Sequence, residues 1–214
     1  MRWNFKRELA RKFIHMLSLG FLIIYFLAAD FFNRQIALLV LFLLLIILLE
    51  LEYLRIELGK KIPGLNYIWS YLRRGKERAH IGGDVYFLIG CILVLSVFDL
   101  KIAMIAVLMT VFGDLSAALI GKRFGRHYLK SLKNRAWEGI IAEFVVDFVI
   151  GFLVLFWGNF SPIYDLKLWI IILVMAVTAT LVETIIYKMD DNLLIPVFSG
   201  FNGQMVLLLF EWLN

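Results

Sequence analysis

Apolar runs of about 20 residues recur along almost the whole chain, and a helix of that length crosses the hydrocarbon core of a bilayer. Hydrophobic residues make up 62% of the 214 residues, more than a soluble domain of this size carries. The runs are continuous, whereas the strands of an outer-membrane barrel alternate apolar and polar residues. The sequence therefore predicts an all-α, polytopic integral membrane protein.

Seven such runs are candidate transmembrane helices, which we number as spans one to seven. They cover residues 13–32, 35–54, 82–98, 102–120, 138–157, 167–187 and 192–213. The chain contains no evident linker, low-complexity tract or internal repeat. We therefore expect one transmembrane catalytic domain over residues 1–214.

The basic residues are distributed unevenly between the two sides of these spans. With the N-terminus in the cytosol, all but three of the 22 Lys and Arg fall on the cytosolic side, the exceptions being Arg34, Lys101 and Lys167. Cytosolic loops of membrane proteins carry such an excess. The bias predicts a cytosolic N-terminus and an external C-terminus. It also accounts for the net charge of +5 without a nucleic-acid partner.

Carboxylates inside the predicted spans gather near their cytosolic ends. Asp114 lies roughly 10 Å inside the end of span four, at 1.5 Å per helical residue. Glu143 and Asp147 are four residues apart, so they share one face of span five. Carboxylates within a membrane are costly and usually face a cavity or a partner. The pattern predicts a polar site in the cytosolic half of the membrane.

The stretch "FGDLSAALIGKRFGRH", residues 112–127, combines one of these carboxylates with a basic tail. Oxygen ligands without a His/Cys cluster favour Mg²⁺, and Lys and Arg neutralise phosphates. We expect Asp114 to bind Mg²⁺ or substrate and the tail to hold a nucleoside triphosphate. Gly121 and Gly125 are expected to let the backbone approach its phosphates. The tail does not match the Walker A pattern.

Five motifs together resemble the CTP-dependent lipid kinases, which include dolichol and polyprenol kinases, phytol and geranylgeraniol kinases and the yeast-type diacylglycerol kinase. The motifs occur in the family's order along the whole chain. They are "RKFIH" at 11–15, "HIGGDVYFLIG" at 80–90, "GDLSAALIGKRFG" at 113–125, "NRAWEG" at 134–139 and "VETIIYKMDDNLLIP" at 182–196. The resemblance implies transfer of the γ-phosphate of CTP, with Mg²⁺, to the hydroxyl of a long-chain polyprenol-type alcohol: dolichol or another polyprenol, geranylgeraniol or phytol. Membrane lipids would surround this site at the cytosolic face.

The predicted site residues combine the resemblance with the placement of the charges. The predicted catalytic residues are Asp114, Glu138 and Asp147, with Asp114 and then Asp147 as candidate general base. The predicted metal ligands are Asp114, Glu183 and Asp191. The predicted nucleotide and phosphate ligands are Lys122, Arg123, Arg126, Lys133, Arg135 and Asn192. The predicted accessory residues are Arg11, Lys12, His15, Glu143 and Asp190.

The chain departs from the family pattern at Arg135 and Ala136, where the family commonly has Lys followed by Ser or Thr. Arg135 keeps the positive charge but not the shape of lysine, and Ala136 brings no hydroxyl. Pro196 completes the last motif and is expected to break or bend the start of span seven.

Three other functions could also account for charged residues within a membrane protein. A phosphatidate cytidylyltransferase also uses CTP, Mg²⁺ and a lipid, but the Asp-rich terminal signature of that class is missing here. A diacylglycerol kinase differs only in its acceptor. A transporter would need polar groups at and beyond the midplane, and the outer halves of the spans contain almost none. The sequence therefore favours the kinase.

Overall fold

The computed structural model describes residue 12 and residues 16–57, 81–129, 135–156, 166–186 and 189–213. Seven helices make up most of this part of the chain. They are α1 (Leu19–Phe31), α2 (Arg34–Ile56), α3 (Gly83–Val97), α4 (Leu100–Phe124), α5 (Trp137–Phe156), α6 (Leu166–Ile185) and α7 (Asp191–Trp212). Two short strands, β1 (Tyr128–Leu129) and β2 (Arg135–Ala136), lie between α4 and α5.

The helices follow the predicted spans closely. Within the described ranges, α2, α4, α5, α6 and α7 are long and apolar enough to cross a membrane, while α1 and α3 are shorter apolar helices. A helix satisfies its backbone hydrogen bonds internally, which hydrocarbon requires. The prediction of an all-α polytopic membrane protein is confirmed. The orientation of the N-terminus and the number of spans remain predictions.

The chain divides into two compact units, residues 1–92 and residues 93–214. In the first unit α1 packs against α2, and Tyr25 and Leu41 are buried there. In the second unit α4 contacts α5, α6 and α7, and α6 contacts both α5 and α7. Every predicted catalytic and metal residue belongs to this second unit.

Side-chain caps define where the helices of the second unit begin. The Asp99 carboxylate accepts a hydrogen bond from the Lys101 backbone N–H at 2.9 Å and so caps α4. Its own N–H donates to Oε1 of Gln204 at 2.8 Å, which fixes the start of α4 to α7. Asp190 caps α7 in the same way through the Asn192 N–H at 3.0 Å. These caps satisfy amide groups that the first turn of a helix leaves without a partner.

Pro196 lies in the second turn of α7, and the helix runs on through it to Trp212. The helix is therefore not broken at this proline, and a bend there remains a prediction. A proline removes one hydrogen bond from the helix, and near the N-terminus few turns precede it. Five residues of α7 precede Pro196, so its ring disturbs only the first turn.

Glycines allow α4 and α5 to pack with their backbones almost in contact. A Cβ on Gly139 would lie 2.8 Å from the carbonyl oxygen of Ala117 and 3.0 Å from the Cα of Gly121. Small residues permit this approach between membrane helices. The expectation that Gly121 faces nucleotide phosphates is thus wrong, because its neighbour is Gly139. A Cβ on Gly125 would meet the carbonyl oxygen of Gly121, the Ala136 methyl group and the Tyr128 hydroxyl.

Replacing Gly139 by alanine is expected to lower the free energy of unfolding by about 2 kcal/mol, because an overpacked core must shift its backbone. The atoms that the new methyl group would meet belong to the backbone of α4 and cannot rotate away. Thermal unfolding in detergent measures the effect. Gly20→Ala in α1 is the control, since no atom lies within 4 Å of the added carbon. An equal midpoint for the two variants would contradict the close crossing.

Candidate active site

The predicted basic tail lies at the C-terminal end of α4. Lys122 and Arg123 occupy the last turn of the helix, where the helix dipole favours positive charge. Both are exposed, as is Arg126 just beyond the helix. The guanidinium of Arg123 lies over the Phe124 ring, 5.4 Å from its centroid. The structure therefore places these three exposed cations at one end of α4.

A two-stranded antiparallel ribbon connects this helix end to α5. Tyr128 pairs with Ala136 and Leu129 pairs with Arg135. The N–H of Trp137 donates to the carbonyl oxygen of His127 at 2.9 Å, which closes the ribbon onto the first turn of α5. The sequence did not predict this ribbon, because two-residue strands leave no periodic pattern. The ribbon therefore fixes the backbone position from which the Arg135 side chain extends.

Glu138 anchors the loop that leads into the ribbon. Its Oε1 accepts a hydrogen bond from the Arg126 N–H at 3.1 Å and lies 3.0 Å from Nδ1 of His127. The carboxylate thus faces the loop at the cytosolic end predicted for α4 and α5. A catalytic role for Glu138 remains a prediction, and the observed contacts give it a structural role in holding residues 126 and 127.

Arg135 extends from the ribbon into a group of buried carboxylates. Its Nη1 lies 2.6 Å from Oε1 of Glu183 on α6 and 3.7 Å from Oε2 of Glu143 on α5. Burial of the guanidinium lowers the pKa of Arg135, but the charges of Glu183 and Glu143 outweigh this effect and raise it. Arg135 is therefore a permanent cation that joins two helices.

Glu143 and Asp147 project from the same face of α5, as their spacing predicted. Their residues are 1% and 0% exposed, respectively, and Glu183 is 2% exposed. Electrostatic interactions connect Glu143 with both Asp147 and Glu183. These three buried side chains are hereafter the carboxylate cluster: Glu143, Asp147 and Glu183.

Two further carboxylates lie close enough to interact with the cluster. Glu183 interacts electrostatically with Asp114 on α4 and with Asp191 at the start of α7. Both Asp114 and Asp191 are partly exposed. Four helices, α4 to α7, therefore each contribute at least one carboxylate. The predicted metal ligands Asp114, Glu183 and Asp191 are brought into one neighbourhood.

Several oxygen atoms of the cluster are buried without a hydrogen-bond partner among the residues that the structure describes. These atoms are Oδ1 and Oδ2 of Asp147, Oε2 of Glu143 and Oε2 of Glu183. A buried ionised carboxylate is costly unless a positive charge or a proton compensates it. Arg135 brings one positive charge to three carboxylates. The cluster is therefore suited to a cationic ligand or to a donor group of a substrate.

The remaining predicted residues have various positions. Asn192 lies partly buried in the first turn of α7, beside Asp191, and Asp190 acts as the cap of that helix. Lys12 is buried and belongs to the first unit. The predictions for Arg11, His15 and Lys133 concern residues outside the described ranges.

Two features of the site were not predicted from the sequence. Glu143 was predicted only as an accessory residue, yet it lies at the centre of the cluster between Arg135 and Asp147. Thr184 follows Glu183 on α6 and has a buried hydroxyl without a hydrogen-bond partner in the described part of the chain. The spacing of Glu143 from Asp147 was a usable signal for the first. No sequence signal distinguished Thr184 from the other threonines of α6.

Comparison with known proteins shows similarity to lipid kinases. The chain is 28% identical to "CTP-dependent diacylglycerol kinase 1" of Saccharomyces cerevisiae over 96% of the chain and 76% of that protein. It is 26% identical to the Schizosaccharomyces pombe protein of the same name over 93% of each. The chain is homologous to the CTP-dependent lipid kinases. The resemblance seen in the five sequence motifs is therefore confirmed.

The plant members of this group align with a shorter part of the chain. "Probable phytol kinase 1, chloroplastic" of Oryza sativa subsp. japonica is 32% identical over 60% of the chain and 43% of that protein. No protein-family model matches the chain. No solved structure matches it either.

Proposed function

We propose that this protein is a CTP-dependent kinase that transfers the γ-phosphate of CTP to the hydroxyl group of a membrane lipid. The observation that carries the proposal is the carboxylate cluster, several of whose buried oxygens lack a hydrogen-bond partner among the described residues, in a chain homologous to lipid kinases. Phosphoryl transfer requires mainly that charge be neutralised and that the reacting groups be held in line. Buried carboxylates, Arg135 and the cations at the end of α4 supply groups for both tasks.

The proposed acceptor is a long-chain lipid alcohol of the polyprenol type. The relatives are named for diacylglycerol and phytol, and all of these acceptors place a hydroxyl at the membrane surface with a hydrocarbon tail below it. A site among membrane helices suits such a molecule, because the tail can remain in hydrocarbon. We place the reaction at the cytosolic face, where the positive-inside bias puts the basic end of α4 and where CTP is present.

Mg²⁺ is the proposed cofactor, and the donor chemistry of the site fits it. The unpartnered atoms of the cluster are carboxylate oxygens, the ligands that Mg²⁺ prefers. Within the described ranges no three acidic, His or Cys side chains form a group that could hold a metal ion. Mg²⁺ typically takes one or two carboxylates together with substrate phosphates and water, so such a group is not required. When bound, the ion would neutralise charge on the phosphates.

Roles for the chain's own residues follow from their positions. Asp114 and Asp191 are partly exposed and interact with Glu183, and these two carboxylates would hold the metal together with substrate phosphates and water. Lys122, Arg123 and Arg126 would bind the phosphates of CTP from the end of α4. Asp147, whose carboxylate oxygens have no hydrogen-bond partner among the described residues, would accept the proton of the lipid hydroxyl.

The proposal is tested with CTP labelled at either the α- or the γ-phosphate, purified protein in detergent, Mg²⁺, and separate acceptors. The acceptors are a polyprenol, geranylgeraniol, phytol, diacylglycerol and phosphatidic acid. Transfer of γ-label to an alcohol is the expected result, and the best alcohol identifies the acceptor. Transfer of α-label to phosphatidic acid would instead identify a cytidylyltransferase. Transfer of neither label to any acceptor would overturn the proposal.

Replacing Lys122 by alanine is expected to raise the KM for CTP by about tenfold and to leave kcat nearly unchanged, since a charge-assisted contact is worth about 1.5 kcal/mol. The side chain is exposed at the end of α4 and would bind both ground state and transition state. Steady-state rates at varied CTP measure the effect. Lys101→Ala at the opposite end of α4 is the matched control. An unchanged KM in Lys122→Ala would restrict the basic tail to a role in membrane orientation.

A further inference from the structure

Gly113 and Asp147 meet where α4 and α5 pack against each other. A Cβ on Gly113 would lie 2.6 Å from Oδ1 of Asp147 and 3.2 Å from both Cγ and Oδ2. All three atoms belong to the carboxylate group, and both residues are buried. The carboxylate of Asp147 therefore occupies the volume that a side chain at position 113 would fill.

The position of this carboxylate does not come from hydrogen bonds to the described residues. Both of its oxygens lack a partner there, whereas Oε1 of Glu183 is held by Arg135 at 2.6 Å. Buried side chains adopt positions that close packing allows. The Asp147 carboxylate is thus held in place by the shape of the α4 surface at Gly113, one residue before Asp114.

We propose that Gly113 is a positioning residue for phosphoryl transfer, because its missing side chain forms the seat that holds the Asp147 carboxylate at the reaction site. The inference rests on the proposed kinase function and deepens it. It gives the glycine of the Gly113-Asp114 pair a role of its own. Two consecutive residues of α4 then have different roles: Gly113 makes room for the carboxylate of Asp147, and Asp114 contributes its own carboxylate.

The two glycine contacts of the α4–α5 interface differ in what an added methyl group would displace. At Gly139 the obstructing atoms are backbone atoms of α4, which move only if the helices separate. At Gly113 the obstructing atoms are the tip of a side chain with two rotatable bonds. A methyl group at position 113 would therefore turn the carboxylate away and leave the helices together.

The experiment compares Gly113→Ala with the unmodified protein in the γ-labelled CTP assay. We expect kcat to fall about 100-fold, since a displacement of about 1 Å of a reacting group can have that effect. The KM for CTP should stay within about twofold, because Asp147 would act only on the acceptor hydroxyl. Gly151→Ala is the matched control, since Gly151 lies on the same buried face of α5 as Asp147 and its added methyl group would meet the side chain of Ile172 on α6. Its kcat should remain that of the unmodified protein. Unchanged kcat in Gly113→Ala would overturn the proposal.

A second measurement tests the seat without relying on activity. In the Asp147→Ala background the carboxylate is gone, so a methyl group at position 113 has space and should raise the thermal unfolding midpoint. In the unmodified background the same change should lower it or leave it unaltered. An identical shift of the unfolding midpoint in both backgrounds would overturn the proposal.

If the unmodified protein transfers no phosphate, the proposed function fails, while this comparison still reports on whether Gly113 makes room for the Asp147 carboxylate. Should Gly113→Ala not fold, folding of the double variant would support the seat, and its failure to fold would refute it.

Discussion

Replacing Asp147 by asparagine is expected to lower kcat for lipid phosphorylation by about 100-fold or more, the usual contribution of a positioned general base. Asparagine has nearly the same size, so it can occupy the same seat against Gly113, but its amide accepts a proton poorly. The change also removes a negative charge from a cluster of three buried carboxylates, so stability should be retained or increased. Initial rates with γ-labelled CTP and thermal unfolding in detergent measure the two properties.

Asp99→Asn is the matched control for this variant. Asp99 caps the opposite end of α4 through the Lys101 N–H, and asparagine caps helices about as well as aspartate. We expect its rate and its unfolding midpoint to equal those of the unmodified protein. A rate for Asp147→Asn close to that of the unmodified protein would remove Asp147 from the catalytic residues.

Replacing Arg135 by alanine is expected to lower the free energy of unfolding by about 3 kcal/mol, because it leaves buried carboxylates without their cation. The Arg135 side chain is 19% exposed and those of Glu183 and Glu143 are 2% and 1% exposed, so solvent can do little to compensate. Phosphate transfer should also fall, since Arg135 contacts carboxylates of both α5 and α6 beside the proposed reaction site. Denaturant or thermal unfolding in detergent measures the first effect, and the labelled assay measures the second.

Two further variants separate the causes of this loss. Arg135→Lys keeps the positive charge but replaces the planar guanidinium, whose Nη1 contacts both carboxylates, with a shorter side chain, so its stability should be intermediate. The double variant Arg135→Ala/Glu183→Gln removes both partners of the 2.6 Å contact and should recover part of the stability. Strictly additive losses in the double variant would show that the two side chains do not stabilise each other.

The helices were largely predictable from the sequence, because the hydrocarbon of a membrane surrounds them. Predicted span four covered residues 102–120, and α4 covers Leu100–Phe124. Predicted span seven covered residues 192–213, and α7 covers Asp191–Trp212. Hydrocarbon forces each apolar run to satisfy its own backbone hydrogen bonds, so the local sequence decides the element. The four-residue spacing of Glu143 and Asp147 likewise decided that they share a face.

The roles of the glycines were not predictable, because a glycine can serve any close approach. The sequence suggested that Gly121 would face phosphates, and the structure places it against Gly139 instead. Which partner a small residue meets depends on how two helices cross. Gly113 carried no sequence signal beyond its neighbour Asp114, and its contact with Asp147 became visible only in the packing of α4 against α5.

By itself, the sequence determined that the protein lies in a membrane, where its helices run and which residue types form the site, since each of these follows from local composition and spacing. The tertiary structure decided which charges meet. Arg135 and Glu183 are 48 positions apart, and the ribbon of β1 and β2 directs the guanidinium to α6. The same packing gathers carboxylates from four helices and leaves the oxygens of Asp147 unpartnered within the described residues. Contacts of this kind depend on which helix faces meet, and apolar helices of similar composition do not encode that locally.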